Sequence, residues 1–147
     1  KISESNIKAG LLKVVQNTGL IGRWQVIQDD PKIICDSAHN KEGLKYVIEQ
    51  LTDMTYKKLH IVLGTVNDKD LDSILPIFPK NALYYFCKPD IPRGLDAQKL
   101  QQKASKFGLM GQPYRSVKKA LSKAKKMSNV HDIIFVGGST FVVAEVV

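Results

Sequence analysis

No stretch of this 147-residue chain approaches the roughly 20 consecutive apolar residues that a membrane-spanning helix needs, and no signal peptide is expected ahead of the fold. Cysteine is scarce. Cys35 and Cys87 lie in separate apolar runs a whole α/β unit apart, a spacing that suits neither a zinc site nor a framework of disulfides. Buried free thiols in a reducing compartment, hence a cytoplasmic setting, are the expectation. Arginine supplies only Arg23, Arg93 and Arg115 of the 22 basic residues. Aromatics make up 7%. The net charge of +8 therefore lacks the arginines and interleaved stacking residues of a nucleic-acid binder. The densest cluster (Lys118, Lys119, Lys123, Lys125 and Lys126) shares its helix with an apolar stripe, Val117, Ala120, Leu121 and Ala124, and reads as a solvated face. A polyanionic small molecule accounts for the positive bias equally well. The chain also lacks G-x-x-x-x-G-K-[ST] and G-x-G-x-x-G, so it brings no phosphate loop of its own. It opens at Lys1 without Met, as expected of a domain excised from a longer product.

What is present is an alternation of apolar runs and amphipathic stretches. Residues 1–22 give one helical pattern (Ile7, Leu11, Val14, Val15) that breaks at Thr18–Gly22. Residues 23–36 read as a hairpin turning at Asp29-Asp30-Pro31. Leu59–Gly64, Ala82–Cys87 and Asp132–Val136 are short buried strands, separated by helical segments. Gly108–Pro113 reads as a connection. Phe141–Val147 reads as the start of a helix. The fold class predicted is α/β: a Rossmann-like, mainly parallel sheet of about five or six strands, helices on both faces, with an N-terminal hairpin. Residues 1–22 are assigned to a linker and helix, 23–147 to the domain itself. Right-handed crossovers bring every parallel strand's C-terminus to one edge. Asp36–Asn40, Gly64–Asp70, Lys88–Gly94 and Gly137–Thr140 are then expected on that edge, where open α/β sheets bind ligands.

Several residues on or near that edge carry chemistry by type. Arg23 and Asp36 suit phosphate and ribose, or they pair with each other. His39 stands just ahead of a helix start, where anions are favoured, and either donates to a phosphate or is structural. Asn40 is a natural N-cap for that helix. Gly137-Gly138-Ser139 can cradle an anion with backbone N–H groups. His60 and His131 have no evident partners and are expected to be structural. No metal site is indicated.

Five ordered pieces resemble one family. They are Gly22-Arg23…Pro31, Asp36-Ser37-Ala38-His39-Asn40, Gly64…Asp68-Lys69-Asp70, Pro92-Arg93…Leu100, and Gly138-Ser139 before an apolar helix. Together they are similar to the G-R-x…P, D-G-A-H-N, D-K-D, R-A…L and G-S elements of the C-terminal domain of folylpolyglutamate synthase / dihydrofolate synthase, in the Mur ligase superfamily. Ser37 in place of Gly, Lys41 in place of Pro and a bulky Trp24 are departures. The resemblance implies a domain that meets ATP and Mg²⁺ held mainly by an N-terminal ATPase domain of the same polypeptide. The implied reaction activates a pteroate or folyl carboxylate as an acyl phosphate, which the amine of L-glutamate then attacks. By the same resemblance Arg23, Asp36, His39 and Asn40 contact the nucleotide, with His39 catalytic. Lys69, Asp70, Arg93 and Ser139 serve glutamate or domain closure. The alternatives are another Mur-type amino-acid ligase domain, a non-catalytic Rossmann-like binding module and, least, a nucleic-acid binder.

Overall fold

The computed structural model describes residues 1–147. Two short helices lead the chain, α1 (Glu4–Leu12) and α2 (Val14–Thr18), and no residue of either is buried. Strands β1 (Gln25–Asp29) and β2 (Lys32–Asp36) form the expected hairpin, paired antiparallel. Thereafter strands and helices alternate: α3 (Lys41–Thr52), β3 (Leu59–Gly64), α4 (Leu71–Ile74), β4 (Leu83–Cys87), α5 (Ala97–Ser105), β5 (Gly111–Tyr114), α6 (Val117–Met127), β6 (Ile133–Gly137) and α7 (Thr140–Ala144).

The six strands stand in the order β1-β2-β6-β3-β4-β5, and every pair except β1–β2 is parallel. Successive steps from β2 through β5 run in one direction, so right-handed crossovers put α3, α4 and α5 on one face. The return from β5 to β6 runs the other way and puts α6 on the opposite face, where α7 joins it. Side-chain alternation along the strands feeds both layers. Ile34, Ile61, Leu63, Phe86 and Phe135 pack beneath α3–α5; Cys35, Val62, Cys87, Ile134 and Val136 pack beneath α6 and α7. The helices meet them with apolar stripes, Leu44, Val47, Ile48 and Leu51 on α3, and the expected Val117, Ala120, Leu121 and Ala124 on α6.

Two sequence expectations change. Residues 108–113 are more than a connection, because Gly111–Tyr114 pairs with β4 as an edge strand. Pro113 hid it, since proline belongs in a sheet only at such an edge. The segment from Leu71 is also shorter than one regular helix: α4 is a single turn that tightens into a 3₁₀ turn at Leu75–Ile77, where Pro76 cannot continue the α-helical ladder.

Candidate functional site

Strand register decides where the polar turns land. Asp36 pairs with Gly137, Gly137 with Leu63, and Gly64 with Cys87, so β2, β6, β3 and β4 end level. The four predicted turns therefore share one rim. The loops after β3 and β4 are laced together by a Val66–Gly94 bridge and by two backbone hydrogen bonds, Asn67 N–H to the Arg93 carbonyl (2.9 Å) and Leu95 N–H to the Thr65 carbonyl (2.9 Å). That lacing is why the D-K-D loop and the arginine loop face one another. On the neighbouring strand Gly138 turns with φ +94°, and a Cβ there would lie 2.6 Å from the Gly64 carbonyl oxygen, so only glycine fits. The turn drops Ser139 into the rim, buried, its Oγ accepting the Phe141 N–H at 3.2 Å.

The result is a cleft of about 310 Å³ lined by His39, Val66, Asp68, Lys69, Arg93, Ser139, Thr140 and Phe141. His39 Nδ1 lies 3.0 Å from the Ser37 carbonyl. A carbonyl only accepts, so Nδ1 carries the proton and, in the neutral ring, Nε2 keeps its lone pair. Arg93 spans from Asp68, 3.5 Å away, to the face of Phe141, 5.0 Å from the ring centroid.

Asp36 does something the sequence did not suggest. Only 5% exposed, it accepts from Trp24 N–H (2.7 Å) and from Ala38 N–H (2.7 Å), one bond to each of its oxygens. It thereby ties the entry to β1 onto the turn after β2, a junction closed further by Ser37 N–H on the Gly22 carbonyl (2.8 Å). The tie holds Trp24 at φ 41°, a left-handed conformation that a bulky residue avoids unless its surroundings impose it. Arg23 is 3.9 Å from Asp36 and half exposed, so its guanidinium stays largely free. Ser37 has no left-handed φ, and the turn thus needs no glycine at the position where the sequence departs from D-G-A-H-N.

His39, Lys69, Arg93 and Ser139 thus share the cleft, while Arg23 and Asp36 stand at the hairpin junction beside it. Asn40 and Asp70 are occupied as helix caps, accepting from Gly43 N–H (2.8 Å) and Ser73 N–H (3.4 Å). Sequence reasoning missed Asp68 and Phe141 as cleft residues. Asp68 stood inside a quoted motif; Phe141 carried no signal beyond an aromatic close behind Gly138-Ser139. His60, expected to lack partners, has two. Its Nδ1 is 3.0 Å from the Tyr85 hydroxyl, and its Nε2 is 3.3 Å from Asp132, at the opposite end of the sheet.

Residues 22–140 match the family model for the Mur ligase glutamate ligase domain. A probable bifunctional folylpolyglutamate synthase/dihydropteroate synthase of Haloferax volcanii is 32% identical over 132 residues, 89% of this chain and 16% of that protein. The structure of Escherichia coli FolC in complex with DHPP and ADP superposes with a TM-score of 0.85 at 26% identity, covering 99% of this chain and 34% of that one. A bifunctional folylpolyglutamate synthase/dihydrofolate synthase from Yersinia pestis, complexed with AMPPNP and Mn ion, gives 0.81 at 28% identity over 98% of this chain and 33% of that one. The chain thus spans between about a sixth and about a third of the length of these relatives.

Proposed function

Because the chain belongs to the Mur ligase glutamate ligase domain family, we propose that it is the C-terminal domain of an ATP-dependent ligase that joins L-glutamate to dihydropteroate or to a (poly)glutamyl folate through an acyl phosphate. The observation that carries this reading is the rim itself. One cleft gathers an imidazole, an ammonium, a guanidinium and a hydroxyl, next to a second guanidinium, Arg23, left largely free. Such a set suits phosphate oxygens and a carboxylate that must be held close together.

ATP fits this rim as a ligand shared with another domain. Arg23 would meet the nucleotide, with Asp36 fixing the backbone on which Arg23 stands. Asn40, spent on capping α3, supports the turn that carries His39. Mg²⁺ would fall mainly to the N-terminal ATPase domain implied by the relatives' length; no three His, Cys, Asp or Glu side chains converge on this chain. Residues 2–21 support such a partner: Ile2, Ile7, Leu11, Leu12, Val15, Leu20 and Ile21 are all exposed, an apolar surface that water does not favour.

In the reaction, Lys69 and Arg93 hold the carboxylates of glutamate and neutralise charge. The free Nε2 of His39 takes the proton that the glutamate ammonium must lose before its nitrogen attacks. The imidazolium so formed then faces the phosphate leaving group, where positive charge is favourable.

The test is glutamate incorporation by the full-length protein. ATP-dependent ligation to dihydropteroate or folate, with loss of that activity on Arg93→Ala, is the expected result. The 147-residue chain alone should bind ATP weakly at most and turn nothing over. Ligation to a UDP-muramoyl acceptor instead of a pteroate, or micromolar ATP affinity with turnover by the isolated chain, would overturn the reading.

A further inference from the structure

The two arginines of this rim outside the hairpin are held quite differently. Arg115 is exposed, with no carboxylate within ion-pair distance and no aromatic ring beneath it. Arg93 has both. Its backbone is pinned where its carbonyl accepts the Asn67 N–H and where Gly94 bridges to Val66. Its guanidinium carbon lies 5.0 Å from the centroid of Phe141, and one of its terminal nitrogens lies 3.5 Å from Asp68. Phe141 is fixed in turn by the Gly138 turn and by its own N–H on Ser139 Oγ. The ion pair is long, and both of its side chains are more than half exposed, so solvent screens it and it orients weakly. The ring is the stronger constraint on a planar cation.

We propose that Phe141 is a positioning residue: its ring, with Asp68 at one edge, holds the Arg93 guanidinium across the mouth of the cleft so that the remaining N–H edge receives a carboxylate of L-glutamate. The inference rests on the ligase reading above and adds a residue to it. A guanidinium offers five N–H donors in one plane, and a single carboxylate oxygen at 3.5 Å leaves most of them free. With its plane already set, Arg93 loses less conformational freedom when the bidentate contact forms. A lysine at 93 would keep the charge and lose both the fork and the stack.

The experiment uses the full-length protein and two readouts. In steady-state kinetics Phe141→Leu should raise the KM for glutamate about two- to fivefold, the worth of an exposed cation–π contact, with the KM for ATP unmoved. Phe141→Tyr, which keeps the ring, should restore the glutamate KM. In ¹⁵N-labelled protein the Arg93 side-chain resonances should carry a ring-current shift in the wild type and in Phe141→Tyr, absent from Phe141→Leu. The inference is overturned if Phe141→Leu leaves the glutamate KM and the Arg93 resonances unchanged while Arg93→Ala raises that KM. It is also overturned if Phe141→Leu and Phe141→Tyr weaken glutamate and ATP alike, as a loss of local structure would. If Arg93→Ala itself leaves the glutamate KM untouched, Arg93 does not seat glutamate and this inference falls, while the ligase reading stands on the ligation itself.

Discussion

The two ends of the sheet each set an Asp and a His beside a hydroxyl, and they do opposite things. At the rim where the parallel strands finish stand Asp36, His39 and Ser139; at the rim where they begin stand Asp132, His60 and Tyr85. Every polar atom of the second set is spent. The Tyr85 hydroxyl donates to His60 Nδ1 (3.0 Å), and His60 Nε2–H donates to Asp132 (3.3 Å). The backbone N–H groups of Lys58 (3.0 Å) and Asn129 (2.9 Å) complete the Asp132 carboxylate. Burial, the largest influence on His60, pulls its pKa below the ordinary value and outweighs the support of Asp132, with Lys58 adding to the fall. Burial alone would raise Asp132, but hydrogen bonds from Asn129, His60 and Lys58 and the His60 charge more than reverse it, and its pKa is lowered. Tyr85 is pushed up to about 12, first by burial and then by Tyr114 and Asp132. A neutral imidazole, a charged carboxylate and a protonated phenol satisfy one another completely. At the other rim His39 keeps one ring nitrogen, and Lys69, Arg93 and Arg23 keep donors, that the fold itself leaves unspent. Size does not mark the difference. The starting rim carries the larger groove, about 420 Å³ against about 310 Å³. Spare valence marks it.

Substitutions can sharpen or break this contrast. Asp132→Ala orphans one buried and two part-buried donors and should cost about 3 kcal/mol of folding stability by urea denaturation, with the activity per folded molecule kept; an equally stable variant would show the network idle. His39→Ala should do the reverse. The full-length protein should lose about 100-fold or more in kcat/KM, while its unfolding free energy from urea denaturation moves by less than about 0.5 kcal/mol. Comparable losses of stability at both sites would erase the distinction. The pH dependence tests the closed network more finely. In the unfolded chain His60 takes up a proton near its ordinary value of 6.5, whereas in the fold it resists one. Stability contributed by His60 is therefore present above pH 6.5 and is lost as pH falls from there toward the lowered folded value. His60→Gln, which can still donate to Asp132 and accept from Tyr85, should flatten that slope by at most about 1.4 kcal/mol per pH unit. An unchanged slope would remove His60 as its source.

How legible each rim was follows from what holds it together. The open rim could be read because its residues cluster in short motifs at strand ends, and apolar periodicity alone places strand ends together. Asp36 and Gly137, about a hundred residues apart, meet simply because β2 and β6 run parallel in register. The closed network could not be read that way. His60 and Asp132 are 72 positions apart and each stands alone in an apolar run, so nothing local announces a partner. Asp36 failed for a related reason: its type was evident, but its use as a backbone tie depends on the unusual φ of Trp24, which no pattern forecasts. The edge strand β5 escaped because four residues carrying Gly and Pro look like a loop until a neighbour supplies hydrogen bonds.

The strand order also sets a timetable. β6 is the last of the six to leave the ribosome, yet it fills the gap between β2 and β3 in the middle of the sheet. Until it emerges, the hairpin and the β3–β5 half have no shared partner, and the apolar surfaces of Ile34 and Ile61 wait uncovered along an open seam. Assembly of the sheet is consequently a late, concerted event that closes long loops at once, and the nascent chain depends on protection until its final strand arrives.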